Sequence, residues 1–316
     1  MEEKEEQGSG WRFRRKAETE SSGLCDDAMA ITYNDLYLDV RRRLKAADAA
    51  APTLEARELV CFATGKTREE LMRDGKLYAS PELEQKTWDL VQRHLDGEPV
   101  AYLIGEWEFY GLPLDISRDV LIPRPDTEVL AEQAIEYCAG LGECRVLDLC
   151  AGSGCIGLAV AANAPKARVV LGELSDGALK VCRQNIRRNG LTGRVVPMQV
   201  NALEKPPANL GEFQCIVSNP PYIPRGDIPG LDASVRDYEP HMALDGGEDG
   251  MDFYCAITQL WRDALVPGGR LYFEVGIGQA DTVLRIMRAV GFGDIQVVKD
   301  LNGIPRVVFG TLCTEI

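Results

Sequence analysis

The sequence predicts an α/β fold, in which a mostly parallel sheet is covered by helices on both faces, behind a small helical bundle. Residues 30–98 carry helix-type patterns throughout, and from about residue 123 strand-like and helix-like segments alternate. Hydrophobic residues make up 45% of the chain, enough for a full core. Such alternation is typical of parallel sheets, because two parallel strands need a crossover connection that is usually a helix.

The composition of the 316 residues argues against several classes of protein. No apolar run approaches the ~20 residues of a membrane helix, and the N-terminus lacks the apolar segment of a secretory signal. The net charge of −14 argues against DNA or RNA as the main partner, because phosphates repel an acidic surface. Ten scattered cysteines and only two histidines indicate reduced thiols and no metal site. We therefore expect a soluble, cytoplasmic protein, and a monomer.

The N-terminal region divides into two parts. Residues 1–29 are charged and polar and contain Gly and Ser, so we expect a disordered extension. In the bundle at 30–98, Leu36, Val40 and Leu44 recur every four residues and form one apolar helix face.

Two helix starts in the bundle have clear signatures. Thr67 and Glu70 have the spacing of a capping box, and Ser80 precedes Pro81 as an N-cap. Residues 99–122 are rich in aromatic and β-branched residues around a glycine, which predicts a β-hairpin linker to the next domain.

Residues 123–316 form the predicted α/β domain. We predict its strands at 145–149, 168–173, 194–200, 213–218 and 270–276. We predict its helices at 155–165, 175–190 and near 252–265, with one more helix and two strands to finish the chain.

The loop after the first strand has the spacing of a nucleotide-binding turn. Gly152, Gly154 and Gly157 form G-x-G-x-x-G, and Glu173 ends the next strand, where it can accept both ribose hydroxyls of an adenosine. This pattern suits NAD as well as S-adenosylmethionine. Asp148 favours S-adenosylmethionine, because a carboxylate repels a pyrophosphate and attracts an ammonium or sulfonium, directly or through water.

Asn219 begins the segment Asn-Pro-Pro-Tyr at the end of the fourth strand. Ligands of open α/β sheets lie over this edge, so Asn219 is expected beside the sulfonium. A planar nitrogen is a poor nucleophile, and the Asn219 side-chain oxygen and the Pro220 carbonyl can accept its two N–H groups and aim it at the methyl carbon. Pro221 restricts the loop, and Tyr222 offers a flat surface for the acceptor.

Four segments together resemble the release-factor glutamine methyltransferases: DLCAGSGCIGLAVA, VSNPPYIP, VRDYEPHMALDGGEDG and VLIPRPDTEVL. The resemblance covers roughly residues 30–316. It implies a seven-stranded, Rossmann-like class I S-adenosylmethionine-dependent methyltransferase domain behind the bundle. It also implies methylation of the glutamine amide in the Gly-Gly-Gln motif of peptide chain release factors, which the bundle helps to dock.

The resemblance also implies roles for particular residues. The donor would be held by Cys150, Ala151, Gly152, Ser153, Gly154 and Glu173, with Asn201 and Ala202 near the adenine. The substrate glutamine would be held by Asn219, Pro220, Pro221 and Tyr222. Three residues depart from the family pattern: Cys150 replaces a glycine, which matters if that position needs a positive φ, Ala151 replaces a threonine, and Asn201 replaces an aspartate.

Four further charged residues are considered on the same basis. Arg124 is expected to pair with Glu128 beside the substrate loop, and Arg124 and Glu239 are expected to contact the substrate. Glu274, at the end of the fifth strand, is not expected to act as a general base, because the proton can leave after methyl transfer.

Two alternative functions remain open at this point. A nucleic-acid adenine or cytosine amino-methyltransferase would share the Asn-Pro-Pro-Tyr chemistry, although the acidic charge opposes it. An NAD-dependent oxidoreductase would share the glycine loop.

Overall fold

The computed structural model describes residues 30–313, and the prediction for residues 1–29 lies outside them. The chain begins with a helical bundle, made of α1 (Tyr33–Ala46), α2 (Pro52–Thr64), α3 (Arg68–Arg73), α4 (Pro81–Leu95) and α5 (Val100–Ile104). The predicted helix starts are confirmed. Thr67 Oγ1 accepts from the Glu70 amide while Glu70 caps the Thr67 amide, and Ser80 Oγ accepts from the Leu83 amide.

The linker differs from its prediction. Its hairpin is confined to β1 (Glu106–Phe109) and β2 (Leu112–Asp115), whereas residues 100–104 form helix α5. Pro99 precedes this helix, and Gly105, at a φ of +76°, ends it. The β-branched and aromatic composition of this stretch was misleading, because burial of Val100 against the bundle outweighs local strand propensity.

A seven-stranded sheet forms the second domain. Its strands are β3 (Cys144–Leu149), β4 (Ala167–Glu173), β5 (Val195–Gln199), β6 (Phe213–Ser218), β7 (Leu265–Glu274), β8 (Phe292–Lys299) and β9 (Pro305–Leu312). Their order is β5-β4-β3-β6-β7-β9-β8, and only β9 runs antiparallel to its neighbours. The predicted α/β fold class is thereby confirmed.

Helices cover both faces of this sheet. They are α6 (Glu128–Leu141), α7 (Cys155–Asn163), α8 (Asp176–Arg188), α10 (Asp252–Leu260) and α11 (Ala280–Ala289). The short helix α9 (Ala233–Arg236), in the connection from β6 to β7, has no buried residue. Alternate residues of β3 enter different cores: Val146 packs with α6, α7 and α8, whereas Leu147 packs with α10 and α11. The strands are therefore apolar on both faces, as expected for a parallel sheet.

The strand order places a crevice at the C-terminal edge of the sheet. β3 lies between β4 and β6, so the connections that leave β3 and β6 turn to opposite sides. Ligands of open α/β sheets bind at such a switch point. The glycine loop and the segment that begins at Asn219 follow these two strands, so the fold brings the two sequence motifs together.

The cysteines of the described range are thiols. All nine are unpaired, and five of them are buried in the second domain. Within residues 30–313, no helix is both long and apolar enough to cross a membrane.

Candidate active site

A cavity of about 230 Å³ opens at the switch point. Its floor is made by the glycine loop at 150–153 and by residues at 172–175 and 200–202. Its rim is made by Asn219 and by the segments 118–127 and 240–243. Most of the residues predicted from sequence therefore meet around one space.

The glycine loop approaches this cavity with its backbone. Gly152 has a φ of +56°, and a Cβ built on it would meet no atom within 4 Å, so the backbone is open toward a ligand. Cys150 also has a positive φ, of +61°. The position therefore does need the left-handed conformation, which costs a residue other than glycine about 1–2 kcal/mol. Burial raises the pKa of the Cys150 thiol, so the side chain on the cavity wall is neutral.

Asp148 lies behind the loop. It is 0% exposed and does not line the cavity. The predicted attraction of the donor, by charge or through water, therefore stays a prediction. Its Oδ2 accepts a hydrogen bond of 2.8 Å from the Gly157 amide, and its Oδ1 has no partner among residues 30–313. Burial raises the pKa of this carboxyl to about 7. Asp148 therefore holds helix α7 against the loop, and when ionised it adds negative potential there.

Glu173 lines the cavity, as predicted, and its carboxylate also accepts hydrogen bonds from backbone amides of the cavity wall. Its Oε2 accepts from the Gly152 amide at 2.9 Å, and its Oε1 accepts from the Leu174 and Ser175 amides. A carboxylate has about four acceptor positions, so one remains for a ribose hydroxyl. Accepting both hydroxyls requires one of the three amides to be released.

Asn201 and Ala202 lie on the same wall of the cavity. Asn201 is tied into its own turn, because its Oδ1 accepts from the Leu203 amide and its Nδ2 donates to Glu204. The Ala202 carbonyl accepts from the indole of Trp261. The replacement of aspartate by asparagine at 201 therefore leaves an ordered turn.

Only two of the four residues of the Asn-Pro-Pro-Tyr segment line the cavity. Asn219 and Pro221 line the cavity, whereas Pro220 and the Tyr222 ring do not. Tyr222 packs against the core on the α10 side, and burial raises its pKa to about 12. The Pro220 carbonyl accepts no hydrogen bond from residues 30–313.

Two glycines of the sequence DGGEDG support the back of this segment. A Cβ on Gly246 would lie 2.7 Å from the Tyr222 Cα, and a Cβ on Gly250 would collide with the Tyr222 carbonyl oxygen. That carbonyl also accepts from Gln279 Nε2 at 2.8 Å. The close approach of two backbones explains why glycines stand at these positions.

The predicted pairing of Arg124 with Glu128 is wrong. Arg124 pairs with Glu239, which also accepts from the Ile122 amide at 3.1 Å. Glu128 accepts from the amide of Tyr110, at the hairpin turn. The Glu239 side chain is 1% exposed, so it braces the rim of the cavity and is not positioned to contact a substrate, contrary to prediction. Arg124 does line the cavity and is 38% exposed.

Sequence reasoning assigned no role to Thr127 and excluded only one role for Glu274. Thr127 Oγ1 lies 3.4 Å from Asn219 Nδ2 and is within hydrogen-bonding reach of the Glu274 carboxyl. Glu274 is 4% exposed, and burial raises its pKa to about 7. Thr127 belongs to the segment IPRPDTE, which carries part of the family resemblance. Its place between Asn219 and Glu274 depends on β6 and β7 being neighbours, which the sequence does not show.

Comparisons with known proteins agree with this architecture. The family model of the PrmC N-terminal domain matches residues 35–105, and that of the methyltransferase small domain matches residues 127–228. The release factor glutamine methyltransferase of Geobacter sulfurreducens is 42% identical over 259 residues, which cover 82% of this chain and 89% of that protein. The enzyme of the same name from Moorella thermoacetica is 38% identical over 266 residues, 84% of this chain and 93% of that protein.

A solved structure supports the fold independently. The catalytic domain of hMettl16, in complex with the MAT2A 3'UTR hairpin 6, superposes with a TM-score of 0.51 over 72% of this chain and 84% of that chain. Its sequence identity is 14%, so the likeness concerns the fold alone. Because relatives at 38–42% identity align over most of both chains, this chain belongs to the release factor glutamine methyltransferase family.

Proposed function

We propose that this enzyme uses S-adenosylmethionine to methylate the side-chain amide nitrogen of the glutamine in the Gly-Gly-Gln motif of peptide chain release factors. One observation carries the proposal. Asn219 lies on the cavity wall with its amide nitrogen engaged at Thr127, which leaves its side-chain oxygen as an acceptor for a substrate N–H. The name of the relatives, release factor glutamine methyltransferase, supports the choice of substrate.

The residues of the cavity fit S-adenosylmethionine. The backbone at Gly152 is open to close approach, and the Glu173 carboxylate on the wall is an acceptor for a ribose hydroxyl. Asp148 and Glu173 place two carboxyl groups around the loop, which favours a cationic ligand over a pyrophosphate. When bound, this donor supplies a methyl group on a positively charged sulfur. Cys150, Ala151, Gly152 and Ser153 would hold it together with Asn201 and Ala202.

The protein's part in the reaction is to position the substrate nitrogen. An amide nitrogen is a weak nucleophile, since its lone pair is delocalised into the carbonyl. Asn219 Oδ1, on the cavity wall, would accept one N–H group and present the face of the nitrogen to the methyl carbon. The Pro220 carbonyl, which lies outside the cavity lining and accepts from no residue of 30–313, would accept the other N–H group. The arrangement uses orientation and electrostatics and needs no covalent intermediate. The nitrogen loses one proton after the methyl group is transferred.

The protein partner is a release factor. A protein substrate suits a net charge of −14 better than a nucleic acid does. We infer that the helical bundle at 30–98 contributes to docking, and that the enzyme works as a monomer in the cytoplasm. Tyr222 lies behind the cavity, so its part in the proposal is to support the loop that carries Asn219.

The direct test is mass spectrometry of a release factor after incubation with the enzyme and labelled S-adenosylmethionine. We expect one added methyl group on the peptide that contains Gly-Gly-Gln, and none with Asn219→Ala. An unmodified peptide under conditions in which the donor binds would overturn the proposal. Tight, salt-sensitive binding of duplex DNA or structured RNA in a filter assay would favour the nucleic-acid alternative instead.

A further inference from the structure

The carboxamide of Asn219 has an acceptor end and a donor end, and only one of them can bind the substrate nitrogen. With Oδ1 toward the substrate, the carboxamide accepts an N–H. Turned over by 180°, it would present Nδ2 to that N–H, and two donors would face each other. The active site therefore needs a contact that distinguishes the two ends.

Thr127 makes contact with the nitrogen end. Asn219 Nδ2 donates to Thr127 Oγ1 at 3.4 Å, and Thr127 is 2% exposed. Burial keeps bulk water from competing for this contact. A hydroxyl can donate as well as accept, however, so Thr127 by itself would tolerate either orientation of Asn219.

Glu274 removes this ambiguity. Its carboxyl is buried and lies within hydrogen-bonding reach of the Thr127 hydroxyl. Its Oε2 has no hydrogen-bond partner among residues 30–313, so the carboxyl is short of donors. An ionised carboxylate only accepts. The carboxylate therefore accepts a hydrogen bond from the Thr127 hydroxyl. The hydroxyl oxygen is then left to accept a hydrogen bond from Asn219 Nδ2.

The sheet brings these residues together. Strands β6 and β7 are parallel neighbours, with Ser218 opposite Phe273. The next residues, Asn219 just after β6 and Glu274 at the end of β7, therefore lie side by side. Thr127, the last residue of the 3-10 turn Pro125–Thr127, contacts both of them.

We propose that Thr127 and Glu274 are positioning residues: Glu274 orients the Thr127 hydroxyl, and Thr127 holds the Asn219 carboxamide with its oxygen toward the substrate nitrogen. The inference deepens the proposed function and rests on it, because the orientation matters only if the substrate presents N–H groups. Neither residue exchanges a proton or a methyl group with the substrate. Both act through Asn219.

The ionisation of Glu274 gives this arrangement a pH dependence. The charged and titratable side chains that face Glu274 are Arg124, Asp126, Cys155, Tyr222, Tyr254 and Arg306. The arginines favour the carboxylate, but burial opposes it more strongly and raises the Glu274 pKa to about 7. A protonated carboxyl can donate to Thr127, and the hydroxyl is then free to donate to Asn219 Oδ1. The productive orientation is therefore lost as the pH falls through about 7.

The first test compares Thr127→Val with Thr127→Ser. Valine has nearly the shape of threonine but cannot hydrogen-bond, and serine keeps the hydroxyl. We expect Thr127→Val to lower kcat by about 10²-fold, the usual effect of a misplaced reacting group, and Thr127→Ser to restore most of it. Donor affinity, measured by calorimetry, should be unchanged. Thr258→Val is the matched control, because it removes a buried hydroxyl of the same domain that bonds only within its own helix.

The second test is the pH dependence of kcat. The wild type should lose kcat on the acid side with a midpoint near 7, and Glu274→Gln should be slow at every pH and lack this acid limb. If Thr127→Val fails to fold, as judged by thermal denaturation, the Glu274→Gln profile decides. Wild-type kcat in Thr127→Val, or an unchanged acid limb in Glu274→Gln, would overturn the inference. Failure of the wild type to methylate a release factor would refute the proposed function instead.

Discussion

Gly157 and Gly140 both lie in helices, but a methyl group added at Gly157 would meet neighbouring atoms and one added at Gly140 would not. Gly157 lies in α7, where a Cβ would collide with Leu171 Cδ2 and stand 3.0 Å from both Asp148 Oδ2 and Val169 Cγ1. Gly140 lies in α6, where a Cβ would meet nothing within 4 Å. Neither residue has a positive φ, so the added methyl group is the only difference that alanine makes.

The surroundings of Gly157 cannot move away easily. Leu171 is 0% exposed, and its other methyl carbon lies 2.8 Å from the Cβ position of Gly154. Asp148 is held by its bond to the Gly157 amide. Overpacking of this kind costs about 1–3 kcal/mol, against a gain of about 1 kcal/mol in helix propensity. We expect Gly157→Ala to lower the free energy of unfolding by up to about 2 kcal/mol.

Gly140→Ala should instead raise the free energy of unfolding by about 0.5–1 kcal/mol, because it gains helix propensity without a collision. Urea denaturation of both variants measures these differences. Gly157 lies in the first turn of α7, just after the glycine loop, so a shift of α7 would also move that loop. Calorimetry should therefore find weaker binding of S-adenosylmethionine in Gly157→Ala and unchanged binding in Gly140→Ala. Equal stability of the two variants would refute the packing argument.

Three further predictions follow from the site. Asn219→Ala should lower kcat by at least about 10²-fold, because the substrate nitrogen loses an orienting acceptor; calorimetry should find donor binding largely unchanged. In Asp148→Asn, the part of the wild type's loss of stability with rising pH that comes from Asp148 should disappear, and the part that comes from Glu274 should remain. Burial raises the folded-state pKa of Asp148 from 3.8 to about 7, so folding is favoured at low pH and this advantage is lost, by up to about 1.4 kcal/mol per unit, as the pH rises toward 7. Glu239→Ala should cost about 1–3 kcal/mol of stability and raise KM for the release factor more than it changes kcat, because Arg124 and the Ile122 amide lose their buried acceptor at the cavity rim.

Each of these predictions has an outcome that contradicts it. Loss of donor binding together with activity in Asn219→Ala would mean that Asn219 holds the donor and not the substrate. Parallel stability–pH curves for the wild type and Asp148→Asn, measured by urea denaturation between pH 4 and 8, would show that the carboxyl keeps an ordinary pKa. Unchanged stability in Glu239→Ala would mean that the ion pair with Arg124 does not brace the rim.

Features with local causes were predicted well from the sequence. The capping box at Thr67 and the N-cap at Ser80 depend on residues three positions apart, which meet in any helix. The β6 prediction, 213–218, matches the observed strand, and the glycine loop follows β3 as expected. These motifs identified the cavity, because the C-terminal ends of neighbouring parallel strands must lie together.

Features that depend on contacts between distant segments were predicted poorly. Residues 100–104 form a helix because they pack against the bundle, although their composition favours a strand. Arg124 has Glu128 within reach along the chain, yet it pairs with Glu239, 115 residues away. Composition and spacing carry no information about such partners.

The sequence by itself determined the alternation of strands and helices, the position of the glycine loop after β3 and the position of Asn219 after β6, because each follows from local patterns. Only the tertiary structure decided what surrounds Asn219. The strand order places Glu274 beside it, and the 3-10 turn brings Thr127 to both. The physical reason is that the orientation of a carboxamide depends on donors and acceptors from three separate segments, which the sequence does not show to be neighbours.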